Sequence, residues 1–166
     1  MAGRIDMVGL TNEETTKALR EPVASEFIGG ESAFEEHIVE HLEEICEFLG
    51  LDEIRNVQRQ KQIRADRFQV IMDIIVKHTD ESVTIFEVKK FNNKYPANGP
   101  VNQMQGVGQV LLYQNIYELR FGVRPRLVLI DNKIYERTMM AFMNNALPIT
   151  LMEMQKDRMF IPYRGW

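Results

Sequence analysis

An α/β fold, with a mixed central β-sheet flanked by helices, is the class the sequence predicts, on three observations. Stretches with helical periodicity alternate with short runs rich in β-branched and aromatic residues. Read along the chain, the order is helix, strand, strand, helix, strand, helix, strand. No repeat, low-complexity tract or linker divides the 166 residues, a length that suits one domain of roughly 100–200 residues.

The elements follow in order. Thr11 to Glu14 has the pattern of a capping box, and Pro22 stands where a short first helix should stop. In "SAFEEHIVEHLEEICEFLG" the residues Phe34, Ile38, Leu42, Ile45 and Leu49 fall on one face, which predicts a single helix ended by Gly50. "RNVQRQKQIRADR" (Arg55 to Arg67) reads as a charged surface run. "FQVIMDIIVKH" and "SVTIFEVKKF", joined by the turn-like "TDES", predict a hairpin whose first strand is apolar on both faces and therefore covered on both sides. After a loop carrying Asn92, Asn93, Pro96, Gly99 and Pro100, "VNQMQGVGQVLLYQNIYELRFG" predicts a second long helix that stops near Gly122. "RPRLVLID" predicts a strand, "ERTMMAFMNNA" a short helix and "PITLMEMQKDRMFIPY" a final pair of strands.

Composition narrows the function. With 45% hydrophobic and 27% charged residues the chain is an ordinary globular one, and no apolar run reaches the roughly 18 residues that would span a bilayer. A net charge of −4 argues against coating a polyanion through the overall field, so a nucleic-acid partner must meet a local patch. Arg55 to Arg67 is one candidate, and Lys89, Lys90 and Lys94 form another. The N-terminal stretch has no apolar segment followed by a cleavage signature, and the single Cys46 cannot form an internal disulfide; both favour a reducing, cytoplasmic location. Cys46 itself falls on the apolar side of its helix and reads as core.

The hairpin raises a chemical question. Asp73, Glu87 and Lys89 lie in strands that otherwise belong to the core. Glu87 and Lys89 share a face by strand alternation, and Asp73 joins them only if the turn has an odd residue count, as "TDE" or "HTDES" would give. Two close carboxylates repel and are costly to bury, and one lysine cannot neutralise both. A hard divalent cation resolves the conflict, and magnesium or manganese suits oxygen ligands of this kind.

Asp73 followed by Glu87-Val88-Lys89 on the next strand resembles the signature of the PD-(D/E)XK nuclease superfamily. Gln109 and Tyr113, one turn apart on the following helix, are similar to the Gln-any-any-any-Tyr motif of its RecB-like branch, which also includes enzymes like the Holliday-junction resolvases. Met72 stands where the family's usual proline would precede the acid, so the signature is a variant one. The resemblance implies a restriction-endonuclease-like core over residues 31–131, with an N-terminal extension at 1–30 and a C-terminal helix and strands at 132–166. It implies a Mg/Mn-dependent deoxyribonuclease in which Asp73, Glu87, the Val88 carbonyl and Glu35 hold the metal. Lys89 and Gln109 assist catalysis and Tyr113 binds the strand, to which the local positive patch adds Lys90 and Lys94. DNA is the expected partner, and a homodimer fits how such families often act.

Other readings stay open. Ser32 to Glu35 is also a capping-box pattern, which would occupy Glu35 with a backbone amide and leave Glu31 as the substitute ligand. The domain could be a non-catalytic nucleic-acid-binding or assembly module. His37-Ile38-Val39-Glu40-His41 matches the His-any-any-Glu-His pattern of some zinc peptidases, with Glu118 a third ligand downstream, although the histidines read as solvated residues on the helix flank.

Overall fold

The structure is a computed structural model that describes residues 6–20, 30–90, 98–156 and 158–166. The Pro22 stop and the Asn92 to Pro96 part of the expected loop, with Lys94, lie outside those residues. Seven strands form one sheet: β1 (Asp6–Met7), β2 (Ile54–Ala65), β3 (Phe68–His78), β4 (Val83–Lys89), β5 (Arg126–Asp131), β6 (Ile149–Met154) and β7 (Arg158–Tyr163). Their spatial order is β1-β7-β6-β5-β4-β3-β2. β2, β3 and β4 form an antiparallel meander, whereas β4, β5 and β6 run parallel, so the sheet is mixed.

Helices cover both faces. α1 (Asn12–Arg20), α4 (Gly99–Phe121) and α5 (Glu136–Asn145) lie against one face, and α2 (Glu31–Glu40) and α3 (Leu42–Leu49) against the other. The strands therefore alternate between two cores: Ile75, Ile85 and Leu129 pack on the α4 side, while Ile74, Phe86 and Val128 pack on the α2–α3 side. The expected capping box forms at α1, where Thr11 N–H donates to Glu14 Oε2 at 2.8 Å and Glu14 N–H donates to Thr11 Oγ1 at 3.2 Å. Gly50 and Gly122 end α3 and α4 in the left-handed conformation, at φ +73° and +71°.

Besides the short β1, which the sequence does not predict, two differences from expectation bear on the site. The helix predicted across Phe34 to Leu49 is broken at His41 (φ −114°, ψ 16°). The His41 Nδ1 atom lies 2.9 Å from His37 O, taking the acceptor that its own backbone N–H would use in a regular helix. That N–H donates to Ile38 O instead, at 3.1 Å, and the chain changes direction. His41 is buried at the break, not solvated on a flank.

The second difference is larger. The charged run after Arg55 is a 12-residue strand, β2, at the edge of the sheet. Its pairing with β3 turns tightly through Asp66 and Arg67, with Asp66 at φ +54°. The sequence hides it because most of the strand is exposed, leaving only Ile63 and Ala65 fully buried.

Candidate active site

The three hairpin charges meet at a fork between strands. The β3–β4 ladder pairs Lys77 with Val83, Ile75 with Ile85 and Ile74 with Phe86, and ends there. Its connection runs from His78 to Ser82, closed by His78 N–H donating to Ser82 O at 2.9 Å, which is an odd-numbered loop. Continued by one step, that register sets Asp73 across from Glu87. Beyond Phe86 the strands part, and Asp73 Oδ2 accepts the Val88 N–H at 2.8 Å, doing with a side chain what a main-chain carbonyl does elsewhere in the ladder.

Glu87 is the most enclosed carboxylate of the group, 1% exposed. Its Oε1 lies 2.7 Å from Lys89 Nζ, while Oε2 is buried with no hydrogen-bond partner among the described residues. Burial, and then the negative charge of Asp73, push the Glu87 carboxyl up to about 8. Burial alone would depress Lys89, but its hydrogen bond to Glu87 and the attraction of Glu87, Glu31 and Asp73 hold the ammonium above its ordinary value. The buried Tyr113 hydroxyl is likewise raised, by burial first and then by the charges of Glu87 and Asp73.

Glu35 reaches the same fork from α2. It does not cap that helix: the N-cap is Gly30, with no side-chain hydrogen bond. The buried Glu35 carboxylate instead accepts Arg59 Nε at 3.1 Å and Gln60 Nε2 at 2.8 Å. Gln60 Nε2 also donates to Asp73 Oδ1 at 3.1 Å, so one amide bridges two carboxylates. Gln60 sits across from Asp73 in the β2–β3 pairing, at φ +45°, an unfavourable conformation for a residue with a Cβ. β3 also breaks its alternation there, since Met72 and Ile75 both enter the α4-side core.

Gln60 is the site residue that sequence reasoning missed. The signal lay in the "Ala-Asp-Arg-Phe" turn, which would have revealed a strand running back alongside Asp73.

α4 closes the other side. Its Gly106 lies so near β4 that an added Cβ would stand 3.1 Å from Lys89 Cε and 3.0 Å from Leu129 Cδ1. Tyr113 faces Glu87 and Asp73, whereas Gln109 is exposed and makes no hydrogen bond among the described residues. Lys90 is half-buried and, with Glu31, Lys89, Asn102, Gln105 and Asp131, lines a cleft of about 140 Å³ beside the fork. Glu31 is exposed at the start of α2 with its carboxyl raised, by desolvation at the cleft and by Asp73 and Glu35, against the pull of Lys89.

The remaining candidates lie elsewhere. Cys46 is buried in the α2–α3 core, its thiol pushed up to about 12 by burial and by Glu43. Ligand atoms of His37, Glu40 and His41 lie within 4.8 Å of one another. Glu118 does not belong to that group; its carboxylate binds Arg124 at 2.7 Å.

The fork offers oxygen ligands of the kind a hard divalent cation takes, although Asp73, Glu87 and Glu35 do not gather their ligand atoms within 4.8 Å of one another as the His37 group does. Glu87 Oε2 is a buried acceptor with no hydrogen-bond partner among the described residues, and Asp73 and Glu35 share one neutral amide, with Arg59 beside Glu35 and Lys89 beside Glu87 as the neighbouring positive charges. Asp73, Glu87, Glu35 and the Val88 carbonyl are the groups that would hold it.

The chain matches no family among known protein families and no curated protein. It is similar to the crystal structure of a repair endonuclease from Pyrococcus abyssi, at 15% identity and a TM-score of 0.47, covering 86% of this chain and 50% of that one. The chain thus spans half the length of that structure. Among the described residues no helix is long and apolar enough to cross a membrane.

Proposed function

We propose that the chain is a metal-dependent nuclease that hydrolyses phosphodiester bonds in DNA, as a member of the PD-(D/E)XK superfamily. The observation that carries this reading is the convergence of Asp73, Glu87 and Lys89 at a strand fork, with a buried Glu87 oxygen that has no hydrogen-bond partner among the described residues. When bound there, magnesium or manganese would acidify a water and offset charge on the phosphoryl oxygens.

The chain's own residues do the rest. The Val88 N–H orients the Asp73 carboxylate, and Arg59 orients Glu35. Lys89, kept protonated by Glu87, presents a positive charge to the phosphate or to the attacking water. The Tyr113 hydroxyl, held neutral, is placed to donate, and Lys90 in the adjoining cleft is placed to meet the strand's backbone charge. Gln109 joins the strand-binding set on the resemblance and Lys94 on its place in the sequence patch of Lys89, Lys90 and Lys94, and a homodimer is the assembly the resemblance suggests.

A panel of linear, nicked, branched and single-stranded DNA and RNA, assayed with manganese and with chelator, tests the reading. Metal-dependent cleavage of DNA supports it; equal cleavage in excess chelator refutes it. One observation favours a second reading, a non-catalytic nucleic-acid-binding module: Gln60 and Lys89 already partner the carboxylates without a cation. Calorimetric titration separates the two, because a retired site should take up magnesium weakly or not at all.

A further inference from the structure

We propose that His37, Glu40 and His41 form a zinc site at the break between α2 and α3, distinct from the fork. The three residues occupy positions i, i+3 and i+4, which places them on one side of a helix. Their ligand atoms lie within 4.8 Å of one another, and the two imidazole rings stand 4.6 Å apart between centroids. Small adjustments of exposed Glu40 and half-buried His37 would bring such atoms to the roughly 2.0–2.2 Å zinc distances of nitrogen and carboxylate ligands.

The local hydrogen bonding prepares the site. Because His37 O can only accept, the His41 Nδ1 atom 2.9 Å away carries the proton, which leaves the lone pair on Nε2. A ring nitrogen fixed by a backbone carbonyl is the arrangement that orients ligating histidines in metal sites. The same bond produces the helix break, so the geometry that interrupts the helix also sets the tautomer.

Two imidazoles and one carboxylate select a borderline cation such as zinc over magnesium, whose preference is for an all-oxygen shell. Three protein ligands leave at least one position for water. The site's role is to clamp the α2–α3 break, and with it the helix that carries Glu35 into the fork. The positive charge of Lys156 also acts on His37, so it tempers affinity. The proposal stands apart from the nuclease reading, since none of its residues belongs to the carboxylate fork.

The test uses the full chain bearing D73N and E87Q, so that the fork cannot hold the ion. Equilibrium dialysis against zinc, cobalt spectra and thermal melting are then compared with the same chain additionally carrying H37A or E40Q. The expected result is one zinc per chain, undisturbed by millimolar magnesium, and cobalt bands of the strength typical of a four-coordinate site. Either ligand variant should weaken binding by about 100-fold or more. Zinc at 100 times its Kd should raise Tm by about 5–10 °C, a shift lost in the variants. Because Glu40 is exposed, E40Q should keep its fold even if H37A does not. Zinc stoichiometry well below one, or binding unchanged in E40Q and H37A, overturns the proposal.

Discussion

Asp73 Oδ2 accepts the Val88 N–H at 2.8 Å, so an acidic side chain replaces main-chain pairing at the point where β3 and β4 separate. Asn at this position keeps one oxygen for that amide but loses the negative charge. D73N should therefore fold normally and melt within a few degrees of the parent, while cleavage falls on the order of 10³-fold or more, about 4 kcal/mol of barrier. Circular dichroism and a fluorogenic DNA assay read the two effects. Retained activity in D73N would remove this carboxylate from the chemistry.

Gln60 predicts an opposite pair of effects. Its amide holds Glu35 and Asp73 together in the metal-free protein, so Q60A exposes their repulsion and should lower the metal-free Tm. The substituted chain has lost a competitor for the same oxygens, so magnesium should bind it several-fold more tightly in calorimetry. Weaker magnesium binding in Q60A would mean that the amide supports the cation site and does not stand in for the ion.

How much of this was legible beforehand depended on burial. The hairpin, α4, β5, α5 and the last two strands carry apolar runs or periodicities that only one type of element satisfies, and they lie where the sequence predicts them. β2 was hidden because an edge strand that meets solvent along most of its length has little hydrophobic alternation, and Arg59 and Gln60 then look like surface. The break at His41 was hidden for another reason. The apolar stripe from Phe34 to Leu49 continues through it, and only a side-chain hydrogen bond to His37 O diverts the backbone. At the fork, residue types alone put Asp73, Glu87 and Lys89 together, but whether Glu35 capped its helix or joined them depended on Gln60 and Arg59, in a strand not foreseen.

Gly106 gives a prediction about positioning. An added Cβ would meet Leu129 Cδ1 in the buried core at 3.0 Å, and Lys89 Cε and Cγ at 3.1 Å and 3.2 Å in a flexible side chain that can yield by a few tenths of an ångström. Alanine also improves helix propensity by about 1 kcal/mol. G106A should thus be near neutral in stability while displacing Lys89 from Glu87, lowering kcat with little change in KM. Melting curves and steady-state kinetics check it; unchanged kcat would show that the ammonium position does not matter to turnover.

Glu87 makes stability and metal binding depend on pH in opposite directions. Its carboxyl is raised from an ordinary 4.5 to about 8 by burial and by Asp73. Between those values the folded chain holds a proton that the unfolded chain releases, so without metal, stability should fall as pH rises from about 4.5 to 8 and level off above. A cation must displace that proton, so magnesium affinity should instead climb with pH across the same window, by up to tenfold per unit. E87Q removes the titrating group: in chelator it should melt above the parent at pH 8, by about 5 °C or more, with a flatter pH dependence, and it should be inactive. Thermal melts at pH 5 and pH 8, with chelator and with magnesium, measure both trends. Parallel pH slopes for E87Q and the parent would mean that another buried acid, such as Glu153, whose carboxyl burial also raises, carries the dependence.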